Sequence, residues 1–352
     1  MTTRNRLLLS IGLPVLLVIV VISAFFWQQN ASNPPVKSST GTQKLTTLKL
    51  ALDWTPNTNH TGIFVAQEEG WYRQQGINLQ ILPYSSNVTP DTMVSLGQAD
   101  VGISSTESVV ADAAVGQPVV SIAAILQHNT SALVTLASSG LTRPRDLDGK
   151  TYGGFGAPYE SAVVGQIIKN DGGKGTFKNV TLDVDAMDAL KAKRIDFVWV
   201  FMGVEGVQAQ MDNVKLNVFP VTQYGIPDYY TPTIITGPTQ IKNESPLLHK
   251  FMQATARGYE YARSHPKEAA QLLMNSKAVP KGTFPNPAFV LASQQYNSAH
   301  YADPGRKWGL QDAAAWHGYP EFMLKSGAVF DKNGKPLHSL NLDNLYTNEF
   351  LS

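Results

Sequence analysis

The stretch Leu50-Ala51-Leu52-Asp53-Trp54-Thr55-Pro56-Asn57-Thr58-Asn59-His60-Thr61-Gly62 carries an apolar, strand-like run straight into a crowd of polar and aromatic residues. An amphipathic segment, residues 63–69, follows at once. Asn and Thr are strong helix N-caps. A proline just ahead of a helix start is tolerated, because the first backbone N–H groups have no partner inside the helix. Trp54, Asn57, Asn59 and His60 are therefore presented together at the mouth of a strand and the start of a helix. That arrangement suits a small polar ring or an anion.

Outward from this stretch the chain alternates two periods. Strand signals at 48–52, 78–82, 100–103 and 119–126 are separated by helix signals at 62–69, 89–96 and 108–115. The alternation predicts a parallel sheet covered by helices, with ligand at the carboxyl ends of the strands. Loops after Asp53, Tyr84 and Ile103 should then converge on one rim. A second α/β unit follows, with strands at 151–153, 180–184 and 195–201 and helices at 161–170 and 186–192. Beyond it the pattern is helical, over 246–264, 266–275, 287–298 and 311–326. One unit interrupted by another and completed by helices predicts two lobes. The first comprises residues 47–135 with 236–352, the second 136–235, and the hinge lies near Thr135 and Thr236.

Residues 7–27 are almost wholly apolar and follow Arg4 and Arg6, with no acid among residues 1–6. About 20 apolar residues cross a bilayer as a helix, and flanking arginines hold the adjoining end in the cytoplasm. Residues 1–6 are read as a cytoplasmic tail and 7–27 as a transmembrane signal anchor. A cleaved secretory signal is the alternative, since a weak small-residue site lies near Asn30-Ala31. Residues 28–46, rich in Ser, Thr, Asn and Pro, read as a linker. Either way the folded part sits outside the cytoplasmic membrane, anchored by its single N-terminal span or secreted.

The 352 residues carry 16% charged side chains and a formal net charge of +1, with no basic stripe, which argues against a nucleic-acid partner. Cysteine is absent, excluding disulfides, thiol catalysis and Cys-ligated zinc. No metal-ligand spacing, phosphate loop or nucleophile elbow occurs, and no cofactor is expected.

Trp54 to Gly62 resembles the signature of the ThiY-like thiamine-pyrimidine-precursor binding proteins, solute receptors of ABC importers. Four further strings resemble the same family in the same order. They are Ile122-Ala123-Ala124 with Gln127-His128-Asn129-Thr130-Ser131; Gly149-Lys150-Thr151-Tyr152-Gly153-Gly154; Asp228-Tyr229-Tyr230-Thr231-Pro232; and Ala292-Ser293-Gln294-Gln295-Tyr296. They span roughly residues 48–325. The resemblance implies an α/β, two-lobed type II periplasmic-binding-protein fold with a ligand cleft between the lobes. It implies a monomer that passes a formylaminopyrimidine-type ligand to an ABC permease and its ATPase. A receptor of the same class for riboflavin or another heteroaromatic vitamin precursor is the alternative. The superfamily also holds pyrimidine synthases, in which the histidine is consumed, iron is used and a cysteine-rich run belongs to the pattern.

Ligand candidates follow from residues and resemblance together. Trp54 offers a flat indole for stacking, or else caps the lobe's core. One of Asn57 and Asn59 caps the helix, while the other, with His60, could read a ring edge; His60 could equally be a structural histidine bonded to backbone. The glycine-rich turn 153–160 faces the cleft in the family fold and brings Phe155, Tyr159 and Glu160. Glu160 either accepts from the ligand's amino group or merely complements the helix dipole. Trp199 is core or ligand. Glu205 matches a position often acidic in the family, where a carboxylate bonds ring N–H or amino donors. Of Tyr229 and Tyr230, one flanks the ligand and the other packs.

Overall fold

The computed structural model describes residues 44–85, 87–182 and 186–351. Residues 45–352 form one compact unit. The expected anchor at 7–27 lies outside the described residues, among which no helix is long and apolar enough to cross a membrane.

Two five-stranded sheets organise the unit. The strands, in chain order, are β1 (Thr46–Ala51), β2 (Ile77–Leu82), β3 (Val101–Ser104), β4 (Val120–Ala124), β5 (Ser131–Leu136), β6 (Thr151–Gly154), β7 (Lys178–Thr181), β8 (Phe197–Phe201), β9 (Leu216–Pro220) and β10 (Thr233–Thr236). The first sheet runs β2-β1-β3-β10-β4 and the second β7-β6-β8-β5-β9. β1 pairs parallel with β2 and β3, and β6 parallel with β7 and β8. The parallel sheet expected from the alternation forms in part. β10 runs antiparallel to β3 and β4, and β5 antiparallel to β8 and β9. The reason is connectivity: each antiparallel strand carries the chain into a sheet from the other sheet, and no crossover helix turns it round.

The same strands move the lobe boundaries upstream. Thr135, taken as the first crossing, lies inside β5 of the second sheet, and Thr236, taken as the second, ends β10 of the first. The chain changes sheets between Ala124 and Ser131 and returns between Pro220 and Thr233. Apolar residues continue past β4 through buried Ile125 and Leu126, so hydropathy does not mark the exchange.

Three apolar clusters result. One joins Leu48, Leu50 and Ile63 to the C-terminal helices through Phe251 and Tyr259. A middle cluster takes Ala51 and Ile235 from the first sheet, Leu133 and Phe197 from the second, and Trp316 from the helix Ala313–Lys325. A third lies over the outer face of the second sheet, around Val134, Leu190 and Val200. The helix Thr61–Glu68 meets the long helix Pro238–Ser264 at two glycines. A Cβ at Gly258 would collide with the Gly62 carbonyl oxygen, and one at Gly62 would enter the Tyr259 ring. The element Pro238–Ser264 is two helices joined across a kink, with non-helical geometry at Glu244, so a helix does start close to the expected 246 and a short one from Pro238 precedes it. Pro246 falls in the first turn after the kink, where its missing N–H costs no ladder hydrogen bond. The chain's end covers the β4 edge: Ser121 N–H donates to the Leu345 carbonyl at 2.9 Å and Thr347 N–H to the Ser121 carbonyl at 2.8 Å.

Candidate functional site

At the end of β1 the chain makes a 3₁₀ turn, Thr58–His60, before the helix Thr61–Glu68. Asn57 caps the turn, its side-chain oxygen accepting from Asn59 N–H at 2.9 Å. Asn57 N–H donates to His60 Nδ1 at 3.3 Å, so that nitrogen is the acceptor and Nε2 carries the proton, which it donates to Asp53 Oδ1 at 2.8 Å. His60 is fully buried with both ring nitrogens committed. It staples the strand end to the helix start. Asn59 is held elsewhere, its side-chain oxygen accepting from Asn297 Nδ2 at 2.9 Å and its carbonyl from Tyr259 at 2.7 Å.

Trp54 stands apart from this bonded turn. It is 58% exposed and its ring lies 5.0 Å from that of Tyr84, tilted by 44°. Tyr84 lies two residues past the end of β2, so two of the three loops expected to share a rim do meet there. Burial, with Asp53 adding, pushes the Tyr84 hydroxyl above its ordinary pKa.

On the second sheet, β6 ends in Gly153-Gly154 and the chain turns through Gly156 at φ +92°, a value that favours glycine. Phe155 is 60% exposed at the tip, with Tyr159 edge-on at 6.2 Å. Glu160, first residue of the helix Glu160–Asn170, is fully buried and folds back over its own turn. It accepts from Phe155 N–H at 3.0 Å and Ala157 N–H at 3.2 Å. Burial raises its pKa against the pull of those donors. The carboxylate is used to fasten the turn that displays Phe155.

Trp199 is half-buried in β8 and packs on the middle apolar cluster, its buried Nε1 having no hydrogen-bond partner among the described residues. β8 runs into a π-helical turn, Met202–Gly206, that contains Glu205. Glu205 Oε2 accepts from Phe201 N–H at 2.9 Å. Neither tyrosine of the 229–230 pair is exposed. Tyr229 stacks on Tyr319 at 3.7 Å, while the Tyr230 hydroxyl accepts from Asp312 N–H at 2.8 Å.

The structure adds Glu107, which sequence reading passed over. It sits in the first turn of the helix Thr106–Val115, which Ser105 caps directly after β3. Glu107 is 4% exposed, and burial pushes its carboxyl up to about 7, the Ser105, Tyr229 and Tyr319 hydroxyls pulling the other way. Glu107 Oε2 and the hydroxyls of Tyr229 and Tyr319 have no partner of hydrogen-bond geometry among the described residues. Tyr159, whose own pKa burial raises, feels the Glu107 charge as well. Residues from both sheets, the return segment and the C-terminal helix thus surround one carboxyl. The signal for Glu107 was the Ser105-x-x-Ser108 cap, which moves the helix start two residues upstream of the expected 108. Tyr84 was legible as the first large side chain after β2.

The candidates therefore fall into three groups: the Trp54–Tyr84 rim, the Phe155–Tyr159 tip with Glu107 and Tyr229 beneath it, and the Trp199–Glu205 strand end. Two surface grooves, of about 340 Å³ beside Gln166 and Phe322 and about 270 Å³ beside Glu69 and Gln271, include none of these residues. Among the described residues no group of three His, Cys, Asp or Glu is placed to hold a metal ion.

Comparison with known proteins agrees with the fold. The model of the NMT1/THI5-like family matches residues 57–269. The formylaminopyrimidine-binding protein of Halalkalibacterium halodurans is 25% identical over 285 residues, covering 78% of this chain and 83% of the relative. A 4-amino-5-hydroxymethyl-2-methylpyrimidine phosphate synthase of Legionella pneumophila is 29% identical over 232 residues, covering 65% and 73%. Among solved structures, the periplasmic aliphatic sulphonate binding protein of Escherichia coli superposes with a TM-score of 0.60 at 14% identity, over 83% of this chain and 90% of that one. The two-sheet α/β architecture is that of the periplasmic binding proteins.

Proposed function

The chain belongs to the NMT1/THI5-like family, and from that premise and the site geometry we propose that it is the substrate-binding protein of an ABC importer. It takes a thiamine pyrimidine precursor of the formylaminopyrimidine type from outside the cytoplasmic membrane, with residues 7–27 as its anchor. The two sheets act as lobes that close over the ligand, joined by the segments 125–130 and 221–232. The observation that carries this reading is Trp54: an indole 58% exposed at a strand end, steadied by Tyr84, beside a turn whose polar groups are already bonded. Such a ring is available to stack on a heteroaromatic face, which contributes about 0.5–1.5 kcal/mol beyond burial. Phe155 offers a second exposed ring from the other sheet. Glu205 supplies a carboxylate for the amino or N–H edge.

No bond is made or broken in this scheme. The family's synthase members are called enzymes, but this chain has no cysteine, and its His60 is enclosed and bonded at both nitrogens. Both facts favour capture over synthesis. Isothermal titration of the full-length protein with formylaminopyrimidine, hydroxymethylpyrimidine, thiamine and riboflavin tests the proposal. Sub-micromolar binding confined to the pyrimidines is the expected result. Binding to riboflavin alone would move the protein to another vitamin precursor, and binding to none would remove the ligand class.

A further inference from the structure

One string of the sequence, Ala292 to Tyr296, has no role in the site described so far, and it lies on the helix Pro287–Ser298 that touches both halves of that site. Ser293 is 1% exposed, and its hydroxyl donates to the Gly203 carbonyl at 2.5 Å. Gly203 belongs to the π-helical turn after β8, two residues before Glu205. The single Ser293 proton being used there, the Thr58 hydroxyl must donate to Ser293 Oγ, at 2.6 Å. Thr58 Oγ1 accepts in turn from Asn297 Nδ2 at 2.9 Å, whose other proton goes to Asn59 Oδ1 at 2.9 Å. Thr58 is 3% exposed and Asn297 1% exposed, so the Ser293–Gly203, Thr58–Ser293 and Asn297–Thr58 bonds are buried, and only the one to Asn59 is partly open.

We infer that Ser293, Asn297 and Gly203 form a latch that joins the Thr58–His60 turn of the first sheet to the Glu205 turn of the second, and that they are positioning residues for ligand capture. The inference rests on the closure reading above and specifies what holds the closed state. Every donor in the relay has one acceptor, and such buried chains polarise one another. Every member is a protein atom, so the latch biases closure before any ligand adds its own contacts, and a preformed closed fraction raises apparent affinity in proportion. Gly203 has no side-chain alternative: a Cβ there would collide with Asn297 Oδ1 and lie 3.0 Å from Tyr296 Cδ1. The close approach of turn and helix therefore requires glycine.

The absence of cysteine makes a clean test available. Nitroxides on Leu96→Cys and Val180→Cys, both exposed positions, report the distance between the two sheets in the full-length protein by double electron–electron resonance. Loss of one buried hydrogen bond shifts such an equilibrium by roughly two- to tenfold. In ligand-free protein, Ser293→Ala should lower the closed-to-open ratio by that factor, and Gly203→Ala by more. If Gly203→Ala fails to fold, Ser293→Ala, which removes a single oxygen, carries the test alone. With formylaminopyrimidine, titration calorimetry should show a weaker apparent affinity in Ser293→Ala by up to the same factor. An unchanged distance distribution in Ser293→Ala would overturn the latch, even if its melting temperature fell. The distance measurement contains no ligand, so its outcome stands if the pyrimidine reading fails, and pyrimidine binding with unaltered distances would sink only the latch.

Discussion

Trp54 and Glu205 come from different sheets and bring different chemistry, a stacking face and a carboxylate. Replacing either by alanine should weaken pyrimidine binding at least tenfold, because each loss exposes a ring face or leaves a polar edge unmatched at a cost of ~1–3 kcal/mol. Titration calorimetry with circular dichroism on the same samples checks this, and retained affinity in both variants would remove the site assignment. Glu107 makes a separate claim on pH. Burial lifts its folded pKa from 4.5 to about 7, so the folded protein holds a proton that the unfolded chain has released. The stability it contributes is present below pH 4.5 and is lost as the pH rises through about 7, a swing of about 3 kcal/mol. Urea unfolding of Glu107→Gln from pH 5 to 8 should therefore lack a decline that the parent protein shows. Parallel curves for the two proteins would mean that Glu107 is not protonated in the fold.

Among elements, the junction of the helix Thr61–Glu68 with the helix Pro238–Ser264 positions the whole Trp54–His60 motif. Gly258 permits it by leaving room for the Gly62 carbonyl. Gly258→Ala must push the helices apart, and overpacking of this kind costs about 1–3 kcal/mol, or more where backbone is struck. A fall in the thermal midpoint with weakened ligand binding is expected, whereas alanine at the exposed Gly282 should leave binding untouched. Most of the elements were legible in the sequence. β5, β9 and β10 were not: β5 and β10 are short strands buried almost throughout and so lack alternation, and β9 is a half-exposed strand without strict alternation. The helix expected from Pro246 is present beyond the kink at Glu244, and only the short helix from Pro238 ahead of it was not read.

At the scale of the molecule, the two segments between the sheets are tied by one histidine. His128 leaves β4 toward β5, its Nδ1 bonding Asp228 of the return segment at 2.5 Å and its Nε2 lying 3.2 Å from Asp303. Asp228 also accepts from Asn129 N–H at 2.9 Å, and the Asp303 carbonyl accepts from Arg263 at 3.1 Å. Partial burial lowers the His128 pKa, but the two carboxylates outweigh it and the net direction is upward. The tie is thus at full strength below the ordinary histidine range and is lost as the pH rises through the raised folded value. Proton NMR titration of the His128 ring should give a midpoint above 6.5, and Asp303→Asn should lower it. A midpoint unmoved by Asp303→Asn would remove that carboxylate from the tie.

The sequence by itself determined the strand–motif–helix order, the interrupted α/β plan and the exposed aromatic at the strand end, because periodicity and capping are local and need no distant partner. Which polar residues are free for a ligand was decided only by the tertiary structure. His60 and Glu160 read as ligand groups until Asp53, Asn57 and the backbone of 155–157 use their valences, and Asn59 until Asn297, 238 residues away, takes its oxygen. A buried donor or acceptor must be satisfied somewhere, and that account closes only when the chain has brought its distant ends together.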